Sequence, residues 1–148
     1  MRREAAKELE CIAPEDRSLP QVIAAWIDLH LEGAHWAKAA TAAAEMVEKF
    51  PDEPKGWISH AFAVRRLTGL PAAEAILLEA EKRIGATCAL VHYNLACYRC
   101  VAGDLEAAWE RLSRAMHMDP AWRKSALSDP DLKALREKIV ADSSSHIP

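Results

Sequence analysis

Turn residues and core residues in this chain recur together at one spacing, and that register limits the fold more than any single motif does. Pro51 and Gly85 are 34 residues apart, Gly69 and Gly103 are 34 apart, and Gly85 and Pro120 are 35 apart. Apolar positions keep the same step, with 34 residues between Trp57 and Val91, 34 between Ala73 and Ala107, and 35 between Leu77 and Leu112. Unrelated elements would not bring breaks and apolar positions into one register. The chain therefore reads as similar units stacked side by side, each burying its apolar face on the next.

Within each unit the period is helical. Val22, Ile23, Trp26, Ile27 and Leu31 recur at spacings of three and four, which places them on one face of a helix, and no stretch alternates with period two. Breaks fall at Gly33, Pro51-Asp52-Glu53-Pro54, Gly69-Leu70-Pro71, Gly85-Ala86-Thr87, Gly103-Asp104 and Asp119-Pro120. Each separates roughly a dozen helix-forming residues, so the expected fold is all-α, built of antiparallel helical hairpins with short turns. With 148 residues, 51% of them hydrophobic and 28% charged, the chain can bury a core without disulfides or metal and is neither disordered nor membrane-spanning in composition.

The same arithmetic bounds the partners. A formal net charge of −3 gives no broad basic field, which argues against nucleic acid and anionic membranes as binding partners. The opening Met1-Arg2-Arg3-Glu4-Ala5-Ala6-Lys7 has no signal-peptide core, and no run approaches the roughly 18 apolar residues of a membrane span. Cys11, Cys88, Cys97 and Cys100 lie within helical patterns, so they read as reduced thiols and the protein as cytoplasmic.

The unit resembles the tetratricopeptide repeat family, whose repeat is a pair of antiparallel helices of 34 residues. The resemblance is strongest over Tyr93-Asn94-Leu95-Ala96-Cys97-Tyr98, Gly103-Asp104-Leu105-Glu106-Ala107-Ala108, Leu112, Ala115 and Met118-Asp119-Pro120. Leu95 and Ala96 match the family's large-then-small pair, Gly103-Asp104 its turn, Ala108 and Ala115 its small second-helix contacts, and Pro120 its closing proline. In the preceding unit Trp57, Ala61, Ala73 and Ala80 match, whereas Gly85 stands in place of the proline and His60 in place of a leucine. Gly33, Trp36, Ala39 and Pro51 match in the first unit.

The resemblance implies an α-α superhelix, a solenoid of about three helical hairpins with terminal capping helices, in a single domain over residues 1–142. Repeats are expected near 18–53, 54–88 and 89–122, with an N-terminal helix over 3–12, a C-terminal cap over 123–141 and a disordered tail over 143–148. In the cap, helices are expected from Ala121 to Leu127 and from Asp131 to Ala141, the second with Asp129 capping and Pro130 in its first turn. The helix before Pro14 looks like the second half of another repeat, so one rival reading is a self-associating protein, a homodimer in which a second copy completes that half-unit.

Chemistry-bearing residues are sparse. Cys88, His92, Cys97 and Cys100 form the one soft-ligand cluster, and Cys97-Tyr98-Arg99-Cys100 has a zinc-like spacing. On a continuous helix Cys88, His92 and Cys100 share a face while Cys97 points away, so a metal or redox module is the lesser alternative. No nucleophile with an orienting acid surrounds His60 or His92, and no phosphate loop or calcium loop occurs. Trp26, Trp36, Trp57, Trp109 and Trp122 read as plugs between helices, with partly exposed anchors the alternative for Trp109 and Trp122. The expectation is therefore a protein with no catalytic residue, no metal and no cofactor.

What the resemblance implies instead is a groove lined by the first helix of each hairpin, binding a peptide or helix of another protein as an adaptor, scaffold or co-chaperone does. The matching positions are Lys55, Ile58, Ser59, Phe62, Arg65 and Arg66 in the middle repeat, and Leu90, Tyr93, Asn94, Cys97, Cys100 and Val101 in the next. Arg65 and Arg66 supply charge-assisted bonds to carboxylates, Asn94 an amide for a peptide backbone, and Phe62 and Tyr93 apolar area, a mixture suited to an acidic-apolar peptide.

Overall fold

The protein, described here by a computed structural model over residues 2–145, is helical throughout its described elements, with no strand among the described residues. It divides into two compact units, residues 1–83 and 84–148, where the sequence leads one to expect a single array over 1–142. The boundary falls at the end of a helix inside the expected second repeat.

The first unit begins with α1 (Arg2–Glu10) and a short 3-10 turn at Pro14–Asp16. There follow α2 (Pro20–Glu32), α3 (Trp36–Lys49), α4 (Pro54–Leu67) and α5 (Leu70–Ile84), whose last residue lies beyond the boundary. Pro20 and Pro54 open their helices, where the missing N–H would have no intrahelical partner in any case. The core between α2 and α3 is Ile23, Ile27, Ala43 and Met46, with Leu31 and Phe50 packed on its edge. Gly56 lets α4 close on α3: a Cβ there would stand 3.1 Å from the Val47 nitrogen and 3.2 Å from Met46. On α5 the buried residues Ala73, Leu77, Ala80 and Ile84 step by four, three and four, the stripe the repeat register calls for.

The second unit pairs α6 (Ala89–Val101) with α7 (Leu105–Met118), then adds α8 (Trp122–Ser128), a 3-10 segment (Pro130–Leu135) and α9 (Arg136–Ser145). Eight of the thirteen residues of α6 are buried. Asp104 caps α7 by accepting from the Ala107 N–H at 3.2 Å.

Helix closure repeats from hairpin to hairpin. After α6 the Asp104 N–H bonds to the Arg99 carbonyl at 3.0 Å with Gly103 at φ +91°, and after α2 the His35 N–H bonds to the His30 carbonyl at 2.8 Å with Ala34 at φ +57°. After α4 the bond shifts by one residue: Gly69, at φ +131°, itself donates to the Val64 carbonyl five residues back, at 3.2 Å. Each is the left-handed residue that ends a helix by satisfying its last carbonyls. The first turn thus centres on Ala34, while Gly33, the expected breaker, keeps a right-handed φ of −82°.

Three boundaries differ from expectation. The N-terminal helix runs over Arg2–Glu10 instead of 3–12. The expected helix over Asp131 to Ala141 begins as a 3-10 segment, with the Leu132 N–H bonded to the Asp129 carbonyl three residues back at 3.1 Å, and continues as α9, with Leu132, Leu135 and Ile139 facing inward. All three are buried at 3% exposure or less. Residues 143–145, expected in a disordered tail, continue α9, and 146–148 lie outside the described residues. No helix among the described residues is long and apolar enough to cross a membrane.

Candidate functional site

Of the groove residues expected in the first unit, three lie along α4 with their side chains at the surface or engaged at its edge. Lys55 forms an ion pair with Asp28 of α2. Phe62 is 42% exposed. Arg66 is exposed, and its guanidinium carbon lies 5.2 Å from the Trp36 ring centre and 5.7 Å from that of Phe62. Trp36 and Phe62 are themselves tilted neighbours with centroids 5.9 Å apart. The result is a cation held over two aromatic faces at the open surface, an arrangement that retains charge while fixing a long side chain. Arg65 is half-buried and has an interaction of its own, and Ser59 is buried, so neither presents a free group.

Trp36 was legible only as a turn marker and plug. The signal for its surface role is its place at the first residue of α3, opposite the last turn of α4, and sequence periodicity does not pair residues 26 apart.

In the second unit the expected groove residues meet the chain's own cap. Tyr93 stacks on Trp122, with centroids 4.5 Å apart and planes at 29°, and its hydroxyl donates to Asp129 Oδ2 at 2.8 Å. Cys97 Sγ lies 3.7 Å from the same oxygen. Tyr93 and Cys97 are 5% and 3% exposed, so the cap covers both, and Asn94 remains half-buried. Burial, then the hydrogen bond to Asp129, pushes the Tyr93 phenol far above its ordinary range. Burial, then the charges of Asp129 and Asp131, pushes the Cys97 thiol up, and burial raises Cys100 as well. Both shifts disfavour the thiolate, the reactive form of a cysteine.

The soft-ligand cluster resolves differently from its sequence pattern. His92 Nε2 lies 2.7 Å from the Gly85 carbonyl, to which it donates, and Nδ1 lies 3.3 Å from an Arg111 nitrogen, from which it accepts. Both ring nitrogens are used in packing, and Cys88 stands at the N-cap position of α6. Cys97 instead groups with Asp129 and Asp131, the three ligand atoms lying within 4.8 Å of one another. Asp129 already spends its oxygens on Tyr93, Cys97 and the Asp131 N–H, the last at 3.0 Å. The trio serves as a lock between α6 and the start of the 3-10 segment. All four cysteines are free thiols.

Comparison with known proteins bears on the fold. No protein-family model matches the chain, and no curated protein matches it. Among solved structures the chain is similar to the crystal structure of MamA, with a TM-score of 0.66 and 15% sequence identity over 95% of this chain and 81% of that one. MamA is a helical protein of the tetratricopeptide type, and this chain has a tetratricopeptide-like helical repeat fold.

Proposed function

We propose that the protein is a non-catalytic interaction module, an adaptor or co-chaperone that holds an acidic-apolar peptide or helix of another protein against α4. The carrying observation is the exposed Phe62 beside Trp36 with Arg66 over both rings. Aromatic and arginine side chains held rigid at a surface are the residue types that dominate binding energy between proteins. Folds of this kind act mainly by holding partners, which supports the non-catalytic reading. In the second unit Asn94 supplies an amide donor and acceptor for the same class of ligand, whereas Tyr93 and Cys97 act by holding the cap. The four free thiols fit a reducing cytoplasm.

The test is affinity capture on immobilised protein, followed by titration of each purified captured partner against variants. Phe62→Ala and Arg66→Glu should each weaken binding about tenfold or more with helicity unchanged. Equal affinity for wild type and both variants overturns the assignment to α4.

A further inference from the structure

A second recess lies on the other side of α3 and is not part of the surface just described. By the helical period, Ala39, Ala43 and Met46 occupy the buried face of α3, Ala37 and Thr41 lie opposite it, and Lys38 and Ala42 lie on the flank between, with Ala42 packed against the core edge. There, between α2 and α3, runs a trough of about 520 Å³. Its floor is Ile23, Ala42 and the ring of Trp26, which stacks on His30 at 5.5 Å.

We propose that this trough takes a short acidic amphipathic helix from a partner protein. Three features argue for that occupant. First, most of the wall is helix backbone with internal hydrogen bonds, Ile23 to His30 of α2 and Thr41 to Glu45 of α3, and the Thr41 hydroxyl already donates to the Ala37 carbonyl at 3.0 Å. An extended peptide would find no ladder of donors and acceptors here, so the occupant satisfies its own backbone, as a helix does. Second, Ala37, Thr41 and Ala42 are small, which lets an incoming helix approach closely, and Trp26 offers a broad apolar plane. Third, a cationic side chain stands at each end. Among the described residues, Arg17 donates to the Ile12 and Glu10 carbonyls, at 3.0 and 2.9 Å, and Lys38 has no carboxylate partner. The one acid on the rim, Glu45, is held by Lys49 at 2.9 Å.

The two hairpin arms are antiparallel, so Arg17 stands at one end of the trough and Lys38 at the other. Ile23 to His30 on α2 spans about 10 Å at 1.5 Å per residue, which matches two turns of a ligand helix. The matching ligand carries acidic groups about two turns apart and an apolar stripe between them.

The experiment is selection of a phage-displayed library of 16-residue helix-forming peptides on the full-length protein, followed by titration of synthetic winners. Expected winners share an apolar stripe at positions i, i+3, i+4 and i+7 with Asp or Glu at both ends. Their affinity should fall about tenfold or more in the exposed-site variants Lys38→Glu and Thr41→Glu, and stay unchanged in Arg66→Glu. The last variant separates this site from the α4 surface, so failure of one reading is visible apart from failure of the other. Enrichment of basic or proline-rich sequences, no enrichment above an unrelated protein, or winners indifferent to Lys38→Glu and Thr41→Glu overturns the proposal. So does a concentration-dependent dimer, seen in sedimentation, that Thr41→Glu abolishes, since a second copy would then be the occupant.

Discussion

The Tyr93 hydroxyl donates to Asp129 across 36 positions of sequence, at 2.8 Å, and this bond joins the most buried helix of the second unit to the segment that closes it. Asp129 also accepts from the Asp131 N–H at 3.0 Å, so one carboxylate both starts the 3-10 segment and fixes where that segment sits. Trp122 stacks on the same tyrosine ring, with centroids 4.5 Å apart.

Removing the carboxylate should cost more than removing the phenol's oxygen. Asp129→Ala strips the cap and leaves the buried Tyr93 O–H unpaired, a loss of about 1–3 kcal/mol. Tyr93→Phe in the same background removes the orphaned donor and should recover part of that loss. Urea unfolding of the two single variants and the double variant measures the coupling. Additive losses would show that the pair does not act as a unit.

Ala34 carries a side chain at φ +57°, where its counterparts Gly69 and Gly103 carry none. Ala34→Gly should therefore stabilise the protein by about 1 kcal/mol, and Gly103→Ala, with open space around its Cβ but φ at +91°, should destabilise it by a similar amount. Thermal unfolding of both variants would show shifts of opposite sign.

At Gly56 the constraint is space and not dihedral angle. Gly56→Leu must displace backbone at Val47 and the stem of Met46, and should cost about 1–3 kcal/mol by overpacking despite its better helix propensity. A variant as stable as wild type would show that α4 can slide on α3.

Two histidines should make stability fall on mild acidification. Burial, followed by the Lys38 and His35 charges, lowers His30 below its ordinary 6.5, and burial lowers His60. The unfolded chain then takes up protons at a higher pH than the folded one. Stability is full above about pH 6.5 and declines as pH drops from there toward the lowered values. Melting temperatures at pH 5 and 7.5 should differ less in a His30→Gln, His60→Gln variant than in wild type.

How far the sequence revealed this arrangement depends on the range over which each feature acts. The buried alanines Ala61, Ala73, Ala80, Ala96, Ala108 and Ala115 were legible from the 34-residue register because each repeats a local requirement for close helix approach. The Asp129-Pro130 start was legible from capping chemistry alone. The first hairpin turn was placed one residue early because glycine is the usual left-handed residue, and here an alanine takes that conformation. Tyr93 and Cys97 were expected on an open surface because helix periodicity shows which residues share a face but not what later segment covers it. The Trp36, Phe62 and Arg66 cluster was hidden for the same reason. Its members come from two helices, and only packing brings them together.

The tyrosine-carboxylate lock has a bearing on how such a chain can lengthen. Duplicating a hairpin upstream of residue 89 leaves Tyr93, Trp122 and Asp129 in their present arrangement, and the closing segment stays on α6. A copy spliced in after Met118 would separate Trp122 and Asp129 from Tyr93 and confront them with whatever the new hairpin carries at that point. Designed extensions should therefore be grafted before α6.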